Sequence, residues 1–357
     1  MINCKSKSII FLNFFLIILI LFTSCTSFPT LENPLTGITT QEQWETLCQN
    51  KKNLLQQELY GDFPNEERKV TTTGNTTTLL PECHAIMEEC TLHFGKGLTA
   101  TLRITYPEAN QKYPVIFRLD YLSDYAYRAP VEEQMLKEER YAFVTIGRKD
   151  TAPDESQTRD CCGLEAYQEN DLGAIGLWAY AASCAADYIS SKEFADMEKL
   201  CITGHSRDGK AALCAAVMDE RFTVTAPNGS GVGGAAPFSL QSKNSEPVSH
   251  LAEAFPHWFS STFNQNAATN NLSVDMLDTF CVIAPRAVLR TEAKQDEWSN
   301  PEGVFAIQAA MNPVYEFLGV DTAWNQVVFR EGEHGHTKDD WETLIDFCDF
   351  VFYNKPF

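Results

Sequence analysis

One stretch of the sequence joins a short apolar run, a glycine-flanked turn and a helix of small residues. Residues 200–203 predict a buried strand, and residues 211–218 predict a tightly packed helix. Between them lies the heptapeptide Gly204-His205-Ser206-Arg207-Asp208-Gly209-Lys210. A serine at the tip of a sharp strand-to-helix turn is lifted clear of the sheet, which is the geometry of a nucleophile elbow. The pattern therefore predicts an active-site serine at Ser206, beside a helix N-terminus that favours developing negative charge.

The order of predicted elements around this stretch indicates the fold class. Residues 70–80 predict an edge strand, and residues 90–94 and 98–105 flank a glycine turn and predict an antiparallel hairpin. From residue 113 onward, short apolar strands alternate with helices, which is typical of βαβ units and a mostly parallel sheet. The strands are predicted at 113–119, 141–146, 200–203, 223–226, 287–290 and 325–329, and helices at 173–190, 303–318 and 339–352. We expect an α/β fold of the α/β-hydrolase type, with antiparallel strands first and a single catalytic domain over residues 43–357.

The charge balance restricts the class of partner. The 357 residues include 48 Asp and Glu against 28 Lys and Arg, giving a formal net charge of −20. Non-specific nucleic-acid binding and electrostatic docking on anionic lipid both require a basic face. The sequence therefore argues against both kinds of partner.

The N-terminal residues 1–25 predict a secretory signal rather than part of the fold. Lys5 and Lys7 precede a nearly unbroken apolar run at residues 9–22, and small residues lead to Cys25. Cys25 resembles a bacterial lipoprotein processing site, which would place the protein in the cell envelope; an ordinary signal for secretion is the alternative. The apolar run is short for a permanent membrane span, so a lipid anchor at Cys25 would be the sole membrane contact. Residues 26–42 are rich in Thr, Pro and Ser and predict a linker.

The sequence contains 12 cysteines, and export would allow some of them to form disulfides. Apolar runs favour buried thiols for Cys201, Cys214, Cys281 and Cys348. The better candidates for bridges are Cys83, Cys90 and one of the pair Cys161-Cys162, although connectivity cannot be deduced from the sequence. No Cys-X-X-Cys spacing suggests zinc. A metal site at His334-Gly335-His336, near Glu331 and Glu333, is a weaker alternative because no other His/Cys cluster supports it, so no metal site is expected.

A nucleophilic serine requires a base, and the base requires an orienting acid. In α/β-hydrolase folds they follow the order serine, acid, histidine, each at the end of a strand. His334 and His336 follow the last predicted strand, and His334 is favoured because the adjacent glycine allows a tight turn. Glu292, Asp296 and Glu297 follow the preceding strand, and Asp296 is favoured by its distance beyond that strand. A surface histidine or a solvated carboxylate remains the alternative at each of these positions.

Two basic residues of the heptapeptide are candidates for contacts with the reacting group. The backbone N–H of Arg207 is the expected oxyanion donor in an elbow, and its guanidinium can add a charge-assisted hydrogen bond. A salt bridge with a nearby carboxylate is the alternative role for Arg207. Lys210 lies one helical turn from Ser206 on the same face, where it binds a polar substrate group or is simply exposed.

With these residues assembled, the sequence resembles carbohydrate esterase family 15, the glucuronoyl esterases, and bacterial hydrolases related to them. The family elbow reads Gly-Cys-Ser-Arg-X-Gly-Lys, which residues 204–210 match except at His205. The resemblance covers roughly residues 55–352. It continues through the segments 219–222, 230–235, 255–259 and 283–286, Trp298 and the pair His334-Gly335.

The resemblance implies roles for individual residues. Ser206 would attack an ester carbonyl, and Arg207 would help to hold the oxyanion. Lys210 would contact sugar hydroxyls, and Trp298 would line the glucuronate pocket. The implied substrate is a carbohydrate ester between glucuronic acid on xylan and a lignin alcohol, and no metal or organic cofactor is implied.

The chain departs from the family pattern at two positions. Many members have a glutamate as the triad acid where this chain has Gly229. The acid must therefore come from elsewhere here, which favours the loop after residue 290. His205 replaces a cysteine whose disulfide ties the elbow to the histidine loop in the family.

An acetyl xylan esterase or other carbohydrate esterase is the alternative function. The lost glutamate motivates a further alternative, an inactive carbohydrate-binding relative.

Overall fold

The structure, a computed structural model, describes residues 31–120, 130–154, 162–269 and 271–357. The predicted signal segment, its Cys25 and the first residues of the predicted linker lie outside the described residues. Within the described part, all the named strands belong to one nine-stranded sheet. Their bounds are Thr71–Leu80 (β1), Ala85–Phe94 (β2), Leu98–Pro107 (β3), Tyr113–Asp120 (β4), Ala142–Gly147 (β5), Ala195–His205 (β6), Phe222–Asn228 (β7), Ala287–Ala293 (β8) and Asn325–Arg330 (β9).

The strand order across the sheet is β1-β2-β3-β5-β4-β6-β7-β8-β9. The first three strands form an antiparallel meander, and β3 pairs antiparallel with β5. All remaining neighbours are parallel. This arrangement confirms the predicted fold class, including the antiparallel strands on the N-terminal side. The threonine-rich β1 lies at the edge of the sheet, where its mostly exposed side chains meet solvent.

Helices cover both faces of the sheet. Those in the described residues are Gln41–Leu55 (α1), Glu132–Lys137 (α2), Cys162–Ala166 (α3), Ala174–Ile189 (α4), Arg207–Met218 (α5), Val248–Ala254 (α6), Ser261–Ala268 (α7), Met276–Ile283 (α8), Pro301–Phe317 (α9) and Lys338–Tyr353 (α10). Helix α4 is apolar almost all round and is buried along nearly its whole length against α5 and the sheet. The small side chains that the sequence places in α4 and α5 allow the two helices to pack closely.

Successive side chains of the central strand β4 point to opposite faces of the sheet, and a hydrophobic core lies on each face. Val115, Phe117 and Leu119 point into the larger core with α4, α5 and α8, whereas Ile116 points into the core beneath α2 and α10. A strand buried on both faces reads as a continuous apolar run. Because the strands from β4 to β9 pair in parallel, their carboxyl ends lie along one edge of the sheet.

The cysteine predictions have mixed outcomes. Cys201, Cys214, Cys281 and Cys348 are free, buried thiols, as predicted. Cys90 is also a free, buried thiol, so the prediction of a bridge at Cys90 is wrong. Cys161 and the side chain of Cys162 lie outside the described part of the chain.

Of the helices that the structure describes, none has both the length and the apolar character needed to cross a membrane.

Candidate active site

The turn between β6 and α5 presents Ser206 at the carboxyl edge of the sheet. Strand β6 ends at His205 and α5 begins at Arg207, so Ser206 alone makes the reversal, with φ 57° and ψ −121°. Such a left-handed conformation is unfavourable for a residue with a side chain and is held here by its surroundings. The Ser206 N–H donates to the carbonyl of Asn228 on the neighbouring strand, with N and O 2.8 Å apart. These are the features of a nucleophile elbow.

Two glycines allow this turn to close. A Cβ atom on Gly204 would lie 2.4 Å from the backbone of Asp208 in the following helix. A Cβ atom on Gly209 would lie 2.8 Å from the Ser230 side chain and 2.9 Å from the Gly204 carbonyl oxygen. The glycines therefore bring strand, helix and the loop after β7 within contact distance. This explains why the glycine at position 209, one residue later than in the Gly-X-Ser-X-Gly pattern, still serves the elbow.

We expect Gly204→Ala to destabilise the protein by about 3 kcal/mol, because the new methyl group meets backbone atoms that cannot move aside. Urea unfolding followed by circular dichroism measures the effect. The matched control is Gly335→Ala, whose Cβ would lie 3.8 Å from the nearest side-chain atom of Arg330. Equal midpoints for the two variants would show that the close approach at Gly204 does not constrain the turn.

His334 and Asp296 come together at the ends of β9 and β8. The Nδ1–H of His334 donates to Oδ2 of Asp296 over 2.6 Å, and the hydroxyl of Ser299 donates to the same oxygen over 2.6 Å. Asp296 is 6% exposed, whereas the His334 side chain is 43% exposed. Burial alone would raise the pKa of Asp296, but the hydrogen bonds from His334 and Ser299 outweigh it and lower that pKa. An ionised acid thus fixes the imidazole tautomer that leaves Nε2 able to accept a proton.

The alternative acids and the alternative base lie elsewhere. Glu297 is exposed and accepts a hydrogen bond from the side-chain amide of Asn244. Glu292 is fully buried in β8 without a hydrogen-bond partner among the described residues, and burial raises its pKa well above the usual value. His336 stacks on the Trp341 ring, with centroids 4.6 Å apart. Of these candidates, only Asp296 is bonded to His334 in the described structure.

All six of the predicted site residues line one cleft of about 320 Å³: Ser206, Arg207, Lys210, Asp296, Trp298 and His334. Glu246, Phe255 and Trp258 line it as well, and no role was assigned to them from the sequence. The segment 255–259 carries part of the family resemblance, which is a signal that could have found the two aromatic residues. Glu246 belongs to no motif in the sequence. Its backbone N–H donates to the Trp298 carbonyl over 3.0 Å, which brings the two lining segments together.

Arg207 forms a salt bridge, which was the alternative role for it, and still lines the cleft. Its guanidinium forms an ion pair with the buried Asp154 and yet remains 35% exposed at the cleft. The guanidinium also lies over the rings of Trp258 and Phe255, at 5.0 and 5.7 Å from their centroids. The salt bridge therefore holds the arginine at the cleft instead of removing it.

Lys210 is buried, so the alternative of an exposed helix residue is wrong. It is 4% exposed, and its Nζ donates to the carbonyl oxygens of Ser230, at 2.7 Å, and Val232. Burial lowers the pKa of Lys210 to about 8. The ammonium ties the glycine-rich loop after β7 to helix α5. Because an ammonium has three N–H donors, one is left over from these two bonds.

His205 occupies the place of the family cysteine and packs against the histidine loop. Its ring centroid lies 4.5 Å from that of His334 and 5.9 Å from that of His336. Its Nδ1 lies 2.6 Å from Oδ1 of Asn228. Burial and the neighbouring His334 lower the pKa of His205. The elbow and the loop are thus joined here by packed imidazoles.

The glycine at the other departure lies next to the same ring. A Cβ atom on Gly229 would approach Nδ1 and Cε1 of His334 to 3.5 Å. A side chain at position 229 and the carboxylate of Asp296 therefore reach the same imidazole from two neighbouring strands. A carboxylate at either position could therefore contact His334 without a change in the position of the histidine.

We expect His336 to lower the free energy of unfolding as the pH decreases from about 7 to 5. Burial lowers the pKa of His336 well below the ordinary 6.5, so the unfolded chain binds a proton that the folded chain excludes. The slope from one such histidine approaches about 1.4 kcal/mol per pH unit. Urea unfolding at pH 7, 6 and 5 should show a shallower slope for His336→Gln than for wild type. His93→Gln, at a partly exposed strand position, is the control, and an unchanged slope in His336→Gln would contradict the assignment.

Among residues 31–120, 130–154, 162–269 and 271–357, no group of three or more His, Cys, Asp or Glu side chains is arranged to hold a metal ion.

Comparison with known proteins identifies relatives along most of the chain. The family model for glucuronyl esterase of fungi matches residues 91–319. The chain is 28% identical to the carbohydrate esterase MZ0003 of an unknown prokaryotic organism, over 90% of this chain and 89% of that protein. It is 27% identical to the 4-O-methyl-glucuronoyl methylesterase of Schizophyllum commune, over 89% of this chain and 79% of that protein.

Solved structures agree with the sequence relatives. A glucuronoyl esterase of carbohydrate esterase family 15 from Caldicellulosiruptor kristjansonii is similar with a TM-score of 0.77 and 29% identity, covering 93% of this chain and 92% of that one. A promiscuous esterase of the same family from a marine bacterial metagenome has a TM-score of 0.78 and 26% identity, covering 90% of this chain and 96% of that one. The chain therefore belongs to the glucuronoyl esterases of carbohydrate esterase family 15, and so to the carboxylic ester hydrolases.

Proposed function

We propose that this protein is a serine esterase that cleaves glucuronate esters between xylan and lignin through Ser206, His334 and Asp296. The observation that carries the proposal is the hydrogen bond between His334 and the buried Asp296, in the cleft that Ser206 also lines. The order serine, acid, histidine along the chain is that of α/β-hydrolases. The protein would be exported by the leader that residues 1–25 predict, and would act with residues 43–357 as its catalytic domain.

The mechanism follows from the chemistry of these groups. His334 Nε2 takes the proton of the Ser206 hydroxyl as the oxygen attacks the ester carbonyl. Asp296 stabilises the imidazolium that forms, because its carboxylate already accepts the Nδ1–H. The collapse of the tetrahedral intermediate breaks the bond to the alcohol, which leaves with the proton from His334. Water then repeats the sequence on the acyl-enzyme, releasing glucuronate and returning the proton to Ser206.

Charge develops on the carbonyl oxygen during both steps. The backbone N–H of Arg207 lies at the start of α5, where the helix dipole favours negative charge. The Arg207 guanidinium would add a charge-assisted hydrogen bond to the same oxygen. Neither donor requires a metal or an organic cofactor.

The rest of the cleft suits a sugar acid. Trp298 is 50% exposed and offers a flat face of the kind on which sugar rings pack. Lys210 and the Glu246 carboxylate line the same cleft and can hydrogen-bond sugar hydroxyls. These residues support a carbohydrate ester as the substrate.

A comparison of model esters tests the proposal. Purified protein is assayed with benzyl glucuronate and with acetylated xylan, and acid release is followed at constant pH. We expect kcat/KM for the glucuronate ester to exceed that for the acetyl ester by about 100-fold, because binding of the sugar acid contributes to the transition state. A preference for acetyl esters would instead identify an acetyl xylan esterase, and xylan binding without hydrolysis would identify an inactive relative.

A further inference from the structure

A buried carboxylate with several donors lies behind the guanidinium of Arg207. Asp154 follows β5 in the chain, and its side chain is 5% exposed. Its Oδ1 accepts from Nε1 of Trp258 over 2.7 Å and from Nε2 of His257 over 3.2 Å. Its Oδ2 accepts from Nη1 of Arg148 over 3.1 Å and from Nη1 of Arg207. One carboxylate thus joins the segment after β5, the elbow and the loop before α7.

This arrangement fixes the charge of Asp154 as well as its position. Burial alone would raise its pKa, but the hydrogen bonds from His257 and Trp258 and the two arginines outweigh burial and lower it. Arg148 is held in turn by an ion pair with Asp208 and lies over the Trp178 ring, 4.6 Å from its centroid. The carboxylate that Arg207 contacts is therefore ionised and rigidly mounted at neutral pH.

Arg207 itself is confined on two sides. Nη1 bonds to Asp154, and the guanidinium lies over the ring of Trp258, whose Nε1–H donates to the same carboxylate. An arginine side chain on a surface loses conformational freedom when it is fixed. Here that loss occurs on folding, before substrate arrives. A donor fixed in advance stabilises a developing charge better than one that must reorganise.

We propose that Asp154 is a positioning residue, which holds the Arg207 guanidinium at the place where the oxyanion forms. The inference rests on the proposed serine-esterase function and adds to it a residue 53 positions from the elbow in the sequence. Asp154 acts through Arg207 and does not itself touch substrate. Because the oxyanion exists only in the transition state, loss of the anchor lowers kcat and leaves KM nearly unchanged.

The Asp154→Asn variant tests the role, since it removes the charge and keeps the size of the side chain. We expect kcat on benzyl glucuronate to fall by about 10- to 100-fold, with KM within about twofold of wild type. Asp219→Asn is the matched control. Asp219 is a buried carboxylate paired with Arg221 at the other end of α5, so the control also loses a buried ion pair. We expect it to lower the unfolding midpoint and leave kcat unchanged.

A double-mutant cycle separates positioning from a general loss of structure. If Asp154 acts through Arg207, then Arg207→Ala costs much less in the Asp154→Asn background than in wild type. Should Asp154→Asn fail to fold, Asp154→Glu replaces it, because a carboxylate displaced by one methylene group should also lower kcat without raising KM.

The outcomes distinguish this inference from the proposed function. Wild-type protein that does not hydrolyse the glucuronate ester contradicts the proposed function. Active wild-type protein with an unchanged kcat in a folded Asp154 variant contradicts the positioning role alone. Fully additive effects of the Asp154 and Arg207 substitutions also contradict it.

Discussion

Ser206→Ala is expected to reduce kcat for a glucuronate ester by at least about 10⁴-fold, while the protein remains folded. The methyl group of alanine cannot attack the carbonyl, so the residual rate comes only from substrate binding and the oxyanion donors. The backbone strain at φ 57° is common to serine and alanine, so the free energy of unfolding should change little. Acid release at constant pH measures kcat and KM, and urea unfolding measures the stability.

An exposed serine provides the control for this variant. Ser190 lies at the end of α4, and its hydroxyl donates only to the nearby Asp187 carbonyl in the described structure. Ser190→Ala should retain the wild-type kcat. A Ser206→Ala variant with more than about a tenth of wild-type activity would show that another group is the nucleophile.

Asp296→Asn is expected to have the second largest effect, a loss of about 10³-fold in kcat. The neutral amide no longer stabilises the imidazolium of His334, and its NH₂ group favours the wrong tautomer of the ring. KM should change little, because the carboxylate is hydrogen-bonded to His334 and Ser299 and acts on the reaction through His334. Steady-state kinetics on benzyl glucuronate give both constants.

Variants of the two neighbouring glutamates show which of the three carboxylates is the triad acid. Glu297→Gln should remain within about twofold of wild type, because Glu297 is exposed and bonded to Asn244. Glu292→Gln keeps a neutral side chain of the same size, which matches the raised pKa of the buried carboxyl, and should also retain activity. If either of these variants lost about 10³-fold in kcat while Asp296→Asn remained active, the substituted glutamate and not Asp296 would be the triad acid.

The fold was largely predictable from the sequence, because its signals are local. Apolar runs bounded by breakers located the parallel strands, and small residues located α4 and α5. The order of strands β5 and β4 and the helices α6, α7 and α8 were not predicted. Strand order depends on crossover connections between distant residues, and residues 248–283 mix polar and apolar positions without a clear period.

The site residues that share one sequence motif could be predicted, and those that come from separate segments were harder to predict. Ser206, Arg207 and Lys210 share a heptapeptide whose turn geometry follows from its glycines. The preference for His334 rested on Gly335, whereas the structure distinguishes it from His336 by the hydrogen bond to Asp296. That pairing joins residues 38 positions apart, so no local pattern contains it.

The contacts of Asp154 could not be predicted from local sequence patterns. Its partners Arg207, His257 and Trp258 are 53, 103 and 104 positions away in the sequence. An aspartate in a polar loop resembles any solvated charge until the fold buries it beside an arginine.

The residue that carries the acyl group during turnover can be identified directly, which tests whether Ser206 is the nucleophile. Wild-type protein is mixed with a nitrophenyl ester of glucuronic acid, quenched in acid within milliseconds, digested and mapped by mass spectrometry. A good leaving group makes acylation fast, so a burst of nitrophenol should accompany a covalent intermediate. We expect a glucuronoyl adduct on Ser206. A burst with the adduct on any other residue would contradict this expectation.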